Sequence, residues 1–286
     1  MLYVRGDIHG DPISAFSFRN HPEMRILTKD DYMVILGDFG VVWGPGCEKD
    51  THYKLNWLNN RPQKTVALLG NHDNWDWALS LPKIETEIGE VRQCVFENIA
   101  YDNIYIVADP SVLNICGEKC FCIPGAECHD LPGCYTDAKG NEHSDLPILG
   151  KDKKWHYVNG DLIEPQPLTI PLFFREEGKH WWKDEAIDVD SAGEILHLLK
   201  DNEVHIDFML THDAPAIQLT EINQKLPAGK EIITEGEHFL QRVVDELDFE
   251  CFFHGHLHWD RLQPSDNRIM CLFSTVLNLS LGEILN

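Results

Sequence analysis

Four short apolar runs along the chain each end in small and polar residues: LYVRGD at 2–7, YMVILGD at 32–38, TVALLGN at 65–71 and FMLTHD at 208–213. Runs that stay apolar without alternating read as strands buried on both faces, with the polar residues at their C-terminal ends. Polar stretches of helical length separate the first three, and the one at 47–60 carries Tyr53, Leu55, Trp57 and Leu58 among charged residues. Such βαβαβ alternation predicts a largely parallel core sheet with helices on its faces. Further along, Ser191-x-x-Glu194 and Thr234-x-x-Glu237 have the capping-box pattern ahead of apolar stripes, which predicts two more helices. The second stripe, Phe239, Leu240, Val243, Val244 and Leu247, has helical spacing and predicts a core-facing helix. The runs FECFFHGHLHWD at 249–260, IMCLF at 269–273 and VLNLSL at 276–281 read as strands closing a second sheet. The expected fold class is therefore α/β, a two-layer αββα sandwich.

Composition changes this picture in one place. The segment from about 130 to 180 is rich in Pro, Gly, Lys and Asp and ends in the aromatic HWW at 180–182. Loops of that length inside a domain are usually lids, binding loops or inserts. The expected organisation is a single domain over 1–286 with an insert or lid at about 130–180.

Charge narrows the partners. Against 24 Lys and Arg stand 47 Asp and Glu, for a formal net charge of −23, which argues against duplex nucleic acid or an anionic membrane as the binding surface. Arg5 and Asp7 interrupt what would have to be the apolar core of a signal peptide, and no run reaches the roughly 18 apolar residues of a membrane span. A cytoplasmic location follows as the expectation. The nine cysteines are then expected as reduced thiols. Five of them, Cys116, Cys120, Cys122, Cys128 and Cys134, stand close together, which would suit a thiolate zinc module. Their spacing contains no C-x2-C pair, and VLNICGEKCFCI reads instead as a β-hairpin turning at Gly117-Glu118-Lys119, with the cysteines as small strand residues.

The candidate chemistry lies at the strand ends. Asp7-Ile8-His9, Gly37-Asp38, Gly70-Asn71-His72-Asp73, Thr211-His212 and Gly255-His256-Leu257-His258 each fall at or just past the end of an expected strand. An open α/β sheet gathers such residues into one crevice. Imidazole with carboxylate suits Zn, Fe or Mn. The seven candidate ligands Asp7, His9, Asp38, Asn71, His212, His256 and His258 are too many for one tetrahedral ion and suit two. With Asp38 bridging, two such ions would stand about 3.5–4 Å apart and activate a shared hydroxide for in-line attack on phosphorus. The expected cofactors are two such ions and the expected substrate a phosphoester, a small molecule or nucleotide.

The ordered set of motifs D-x-H, GD, GNH-[DE], a lone His and GHxH resembles the calcineurin-like metallophosphoesterase superfamily, over 7–258. MLTHDAP at 209–215 and WWKDE at 181–185 resemble in particular its small bacterial and prophage enzymes. The resemblance implies that Asp7, His9, Asp38 and His258 bind one metal, and that Asp38, Asn71, His212 and His256 bind the second. It implies that His72 contacts the scissile phosphate and acts as general acid.

The chain departs from the family where GDxxDRG becomes Gly37-Asp38-Phe39-Gly40-Val41-Val42-Trp43, so the Asp that orients the catalytic His and the Arg that binds phosphate are both missing. Asp73 could orient His72 instead, or cap a helix. Trp43, Trp75, Trp77, Trp181 and Trp182 could stack a nucleobase, though ordinary packing is the reading preferred. Other functions remain open: a nucleotide phosphodiesterase of the same class, and a non-catalytic metal-binding scaffold. A scaffold usually shows replaced ligands, whereas all seven ligand positions and His72 are present here.

Overall fold

Strands form where the apolar runs stand: β1 (Leu2–Arg5), β2 (Tyr32–Ile35), β3 (Lys64–Leu68) and, late in the chain, β15 (Ile206–Thr211). In β2 all four side chains are buried, as a central parallel strand requires. The structure, a computed structural model, describes residues 1–44, 48–127, 181–223 and 233–281, together with residue 178 and short strands within 134–176 and at 283–285.

The chain divides into two units. The first comprises Met1–Glu127 and Asp184–Asn286. Its remaining early elements are α1 (Pro12–Ala15), α2 (Glu48–Asn59), α3 (Trp75–Leu79), β4 (Lys83–Thr86), β5 (Gly89–Phe96), β6 (Ile99–Val107), β7 (Ser111–Ile115) and β8 (Glu118–Ile123). The second unit, Cys128–Lys183, contains β9 (Cys134–Thr136), β10 (Glu142–Ser144), β11 (Ile148–Leu149), β12 (Trp155–His156), β13 (Leu162–Ile163) and β14 (Arg175–Glu176). These form two three-stranded sheets, ordered β10-β9-β14 and β11-β12-β13. The rest of the segment expected as an insert lies outside the described residues, as do the side chains of Cys128 and Cys134.

After the second unit come α4 (Val189–Asp201), β15, α5 (Ala216–Asn223), α6 (Glu235–Glu246), β16 (Phe249–His254), β17 (Arg261–Leu262), β18 (Ile269–Cys271), β19 (Val276–Asn278) and β20 (Glu283–Leu285). Two mixed sheets result. One is ordered β20-β19-β1-β2-β3-β6-β5-β4, the other β17-β18-β16-β15-β8-β7. One core cluster joins them: Leu2, Val34, Val66 and Leu68 of the first sheet meet Ile115, Cys120, Cys122, Leu210 and Phe253 of the second. A second cluster buries the outer face of the second sheet, Phe121, Met209 and Phe252, under Leu196 and Leu199 of α4 and Phe239, Leu240 and Val243 of α6. Each such fully buried side chain contributes roughly 1.5–3 kcal/mol. This is an α/β sandwich.

Three local expectations are corrected. VLNLSL supplies β19, which joins the first sheet, antiparallel to β1 with Tyr3 opposite Asn278, and does not close the second. An apolar run announces a strand without naming its neighbour, and β1 had a free edge to offer. Ser191 does not cap α4: the helix starts earlier, with Asp188 as N-cap accepting from the Ser191 N–H at 3.0 Å. The hairpin at 111–123 forms, but Ile115 pairs with Glu118, so the two turn residues are Cys116 and Gly117, both at positive φ (59° and 94°). That geometry is a type I′ turn, whose twist matches the flanking strands. Cys120 and Cys122 are buried strand residues, as the hairpin reading expects. The Thr234–Glu237 capping box is complete, with both reciprocal hydrogen bonds made. Among the described residues no helix is long and apolar enough to cross a membrane.

Candidate metal centre

The loops that follow β1, β2, β3, β15 and β16 meet at the same end of the two sheets and are tied by their own backbones. Ile8 and His9 donate N–H to the Asp38 carbonyl at 3.2 and 2.9 Å, Gly10 to that of Phe39 at 2.9 Å, and Gly255 to that of His212 at 3.0 Å. The approach is close enough to require glycine. A Cβ at Gly70 would stand 2.3 Å from Asp38 Oδ1, and one at Gly255 would stand 2.2 Å from Asp7 Oδ1. Four of the candidate ligands, His9, Asp38, His256 and His258, hold positive φ (43°, 49°, 64° and 53°). Non-glycine residues rarely adopt this conformation, and it clusters at functional sites where the surroundings enforce it.

All seven candidate ligands come together. Asp7, His9, Asp38 and His258 each present one ligand atom, and these four atoms lie within 4.8 Å of one another. His258 Nε2 is 3.1 Å from Asp7 Oδ2 and 2.8 Å from His9 Nε2, while His9 Nδ1 is 3.6 Å from Asp38 Oδ2. On the other side of Asp38, its Oδ1 is 3.2 Å from His212 Nε2, which is itself 3.1 Å from Asn71 Oδ1. The His256 ring is centred 5.0 Å from that of His212. Asp38 thus belongs to both groups.

Two features fit these groups for cations. Asp7 Oδ2 and Asp38 Oδ2 are buried and, among the described residues, accept no hydrogen bond, an arrangement that is costly for a carboxylate oxygen unless a cation meets it. His212 donates from Nδ1 to the Leu36 carbonyl at 2.7 Å, which turns Nε2 toward Asp38 and Asn71. Such a bond to the far nitrogen is how metal-binding imidazoles are commonly oriented. Without an ion, a proton takes that place. Burial works against a charge on His212, but the Asp38 and Asp7 carboxylates outweigh it and push its pKa up to about 10. Asp38 in turn is held well below the usual carboxylate range: burial opposes its charge, and His212 overcomes that penalty. His9 is shifted down by burial, and His258 up by the Asp7 carboxylate beside it.

His72 stands at the rim. Its backbone N–H donates to Asp38 Oδ1 at 2.8 Å, and its ring lies 5.5 Å from that of His9 and 6.5 Å from that of Trp43. The helix-cap role considered for Asp73 is not the one it plays. Its buried carboxylate accepts backbone N–H from Phe39 (3.2 Å), Gly40 (2.7 Å) and Gly70 (2.8 Å), pinning the loop after β2 to the loop after β3, while Asn74 caps α3. Burial and the nearby Asp38 charge push the Asp73 pKa up to about 7. Trp75 and Trp77 donate their indole N–H groups to the Gly70 and Val95 carbonyls, so both are braces in the scaffold. His52 bonds Tyr101 and Glu97 away from the site.

Two supports carry no signal in the sequence. Asp260 accepts N–H from Phe273, Ser274 and Thr275 and the Ser274 hydroxyl, fixing the loop that flanks His258. His254 is fully buried in β16, bonded to the Gln218 side chain at 2.6 Å, and burial lowers its pKa to about 4. No protein-family model matches the chain, and no curated protein matches it.

Proposed function

We propose that this chain is a dinuclear-metal-dependent phosphoester hydrolase of the calcineurin-like metallophosphoesterase type. The observation that carries the reading is the pair of buried carboxylate oxygens, on Asp7 and Asp38, left without hydrogen bonds and surrounded by imidazole nitrogens. The sandwich of two mixed sheets, with every motif at one end of it, supports the same reading. Asp7, His9, Asp38 and His258 would hold one ion; Asp38, Asn71, His212 and His256 would hold the other. Two Mn, Fe or Zn ions held there would supply Lewis acidity, polarising the phosphoryl group and activating water.

The chain's own residues then divide the work. Asp38 keeps the two positions in register, because one oxygen is fixed by the His72 N–H and the other stays open. Asp73 holds the loops that carry Asp38 and Asn71 at a fixed separation. His72, at the rim and beside His9, protonates the leaving oxygen, and no covalent intermediate with the protein forms.

The test is elemental analysis of the purified chain, paired with hydrolysis of p-nitrophenyl and bis-p-nitrophenyl phosphate under Mn²⁺ and under chelator. Two ions per chain with chelator-sensitive turnover is the expected result. Failure to bind metal even after Mn²⁺ is supplied would overturn the reading.

A further inference from the structure

A pocket of about 360 Å³ opens beside Asp7 and His9, walled by Arg5, Asp11, Ser14, Asn20, His21 and Phe273 among others. It lies at the lower end of the roughly 300–1,000 Å³ usual for small-ligand pockets. We propose that this pocket binds the non-reacting part of the substrate, and that its chemistry selects a neutral group bearing hydroxyls and amides with one flat face, namely a nucleoside. The assignment rests on the phosphoesterase reading and names the substrate class for it.

Arg5 is the centre of the case. Its Nη1 is committed to the Ala15 and Ser274 carbonyls at 3.1 and 2.9 Å and stands 3.4 Å from His21 Nε2. Among the described residues its Nη2 donates to none, so the guanidinium is anchored at one edge in the wall of the pocket and offers the other. A fixed donor that shares its wall with the Asp7 and Asp11 carboxylates suits a neutral hydroxyl or carbonyl better than a second phosphate, which those carboxylates would repel. The rest of the wall agrees. Asn20 donates from its amide nitrogen to the Ser14 carbonyl at 2.9 Å, leaving its carbonyl oxygen as an acceptor. Asp11 binds the Ser14 N–H with Oδ1, leaving Oδ2 as another. Phe273, half-buried and 4.7 Å from the His258 ring, adds an apolar face on which a base can stack. Donor, acceptors and ring face together match what a nucleoside presents.

The experiment compares Arg5→Gln and Ser14→Phe, which fills the pocket, with the native chain under Mn²⁺. The esters are thymidine 5′-phosphate and thymidine 5′-monophosphate p-nitrophenyl ester, each set against its plain counterpart, p-nitrophenyl or bis-p-nitrophenyl phosphate. Melting temperature reports folding. The expected result is a fall in kcat/KM of about tenfold to a hundredfold on the nucleoside ester in each folded variant, with less than about threefold change on the plain ester. Equal losses on both esters, or none, in a folded variant overturn the pocket assignment while leaving the phosphoesterase reading intact. If Arg5→Gln does not fold, Ser14→Phe alone decides. No turnover of any of the four esters by the native chain overturns both.

Discussion

Asp73→Asn separates what the loops need from what the ions need. The carboxylate receives three backbone N–H groups, from Phe39 and Gly70 on Oδ2 and from Gly40 on Oδ1. An asparagine can keep an oxygen at the Oδ2 position, but its amide nitrogen then faces the Gly40 N–H, donor against donor. An unpaired buried donor costs about 1–3 kcal/mol. Against this stands a liability of the native residue. With no ion present, burial and the Asp38 charge raise the Asp73 pKa from 3.8 to about 7. At pH 8 an ionised carboxylate in that position therefore weakens the fold by about 4 kcal/mol, because the unfolded chain ionises freely. A neutral amide escapes this. In chelator at pH 8 the variant should accordingly melt no lower than the native chain. With Mn²⁺ bound, the cations offset the Asp38 charge, the liability disappears, and the lost Gly40 bond shows as a fall in Tm of about 2–6 °C. Thermal unfolding of both proteins, with Mn²⁺ and with chelator, measures the sign in each state. Destabilisation of the same size in both states would refute the reasoning, as would a variant indistinguishable from native in both.

Asp38→Asn should keep the His72 N–H bond while taking a charge from both ion positions, so metal content should fall toward zero at both together, with affinity reduced by more than the roughly 10–100-fold that loss of an outer partner causes; retention of one tight ion would exclude the bridge. His72→Ala should lower kcat by about two to four orders of magnitude with both ions still present by elemental analysis, and full activity would remove His72 from the mechanism. Far from the site, the Lys64 ammonium and the Tyr32 hydroxyl hold the Glu87 pKa down at about 2. Because the folded value lies below the ordinary 4.5, the contribution is present above pH 4.5 and is lost as pH falls toward 2. Glu87 is more than half exposed, so Glu87→Gln should cost no more than about 1 kcal/mol at pH 7 and nothing near pH 2, read as converging melting curves.

The strand ends, and so the gathering of the candidate ligands, were legible because a parallel strand buried on both faces is a continuous apolar run, and the polar side chains begin where the run stops. Sheet membership was not: β19 and β18 look alike in sequence, and only the free edge of β1 decides that Val276–Asn278 pairs with Tyr3. The braces stayed hidden for a different reason. Asp73 bonds main-chain groups more than thirty residues upstream, and Asp260 bonds a loop thirteen residues onward. Backbone donors carry no residue identity, so nothing in the composition of Phe39-Gly40 or Phe273-Ser274 announces the carboxylate that serves them. Arg5 was read only as a charge that spoils a signal peptide, since its exposed edge depends on where Ala15 and Ser274 fall.

The left-handed backbone at His9, Asp38, His256 and His258 sets a direction for this sequence under mutation. At each of the four, glycine is the residue the main chain would prefer, by roughly 1 kcal/mol or more. If these residues hold ions as proposed, a lineage released from that need would gain stability by drifting to glycine there, losing the ligands as it did so. The imidazoles and the carboxylate at these positions are a standing load on the fold, which the proposed metal binding would repay.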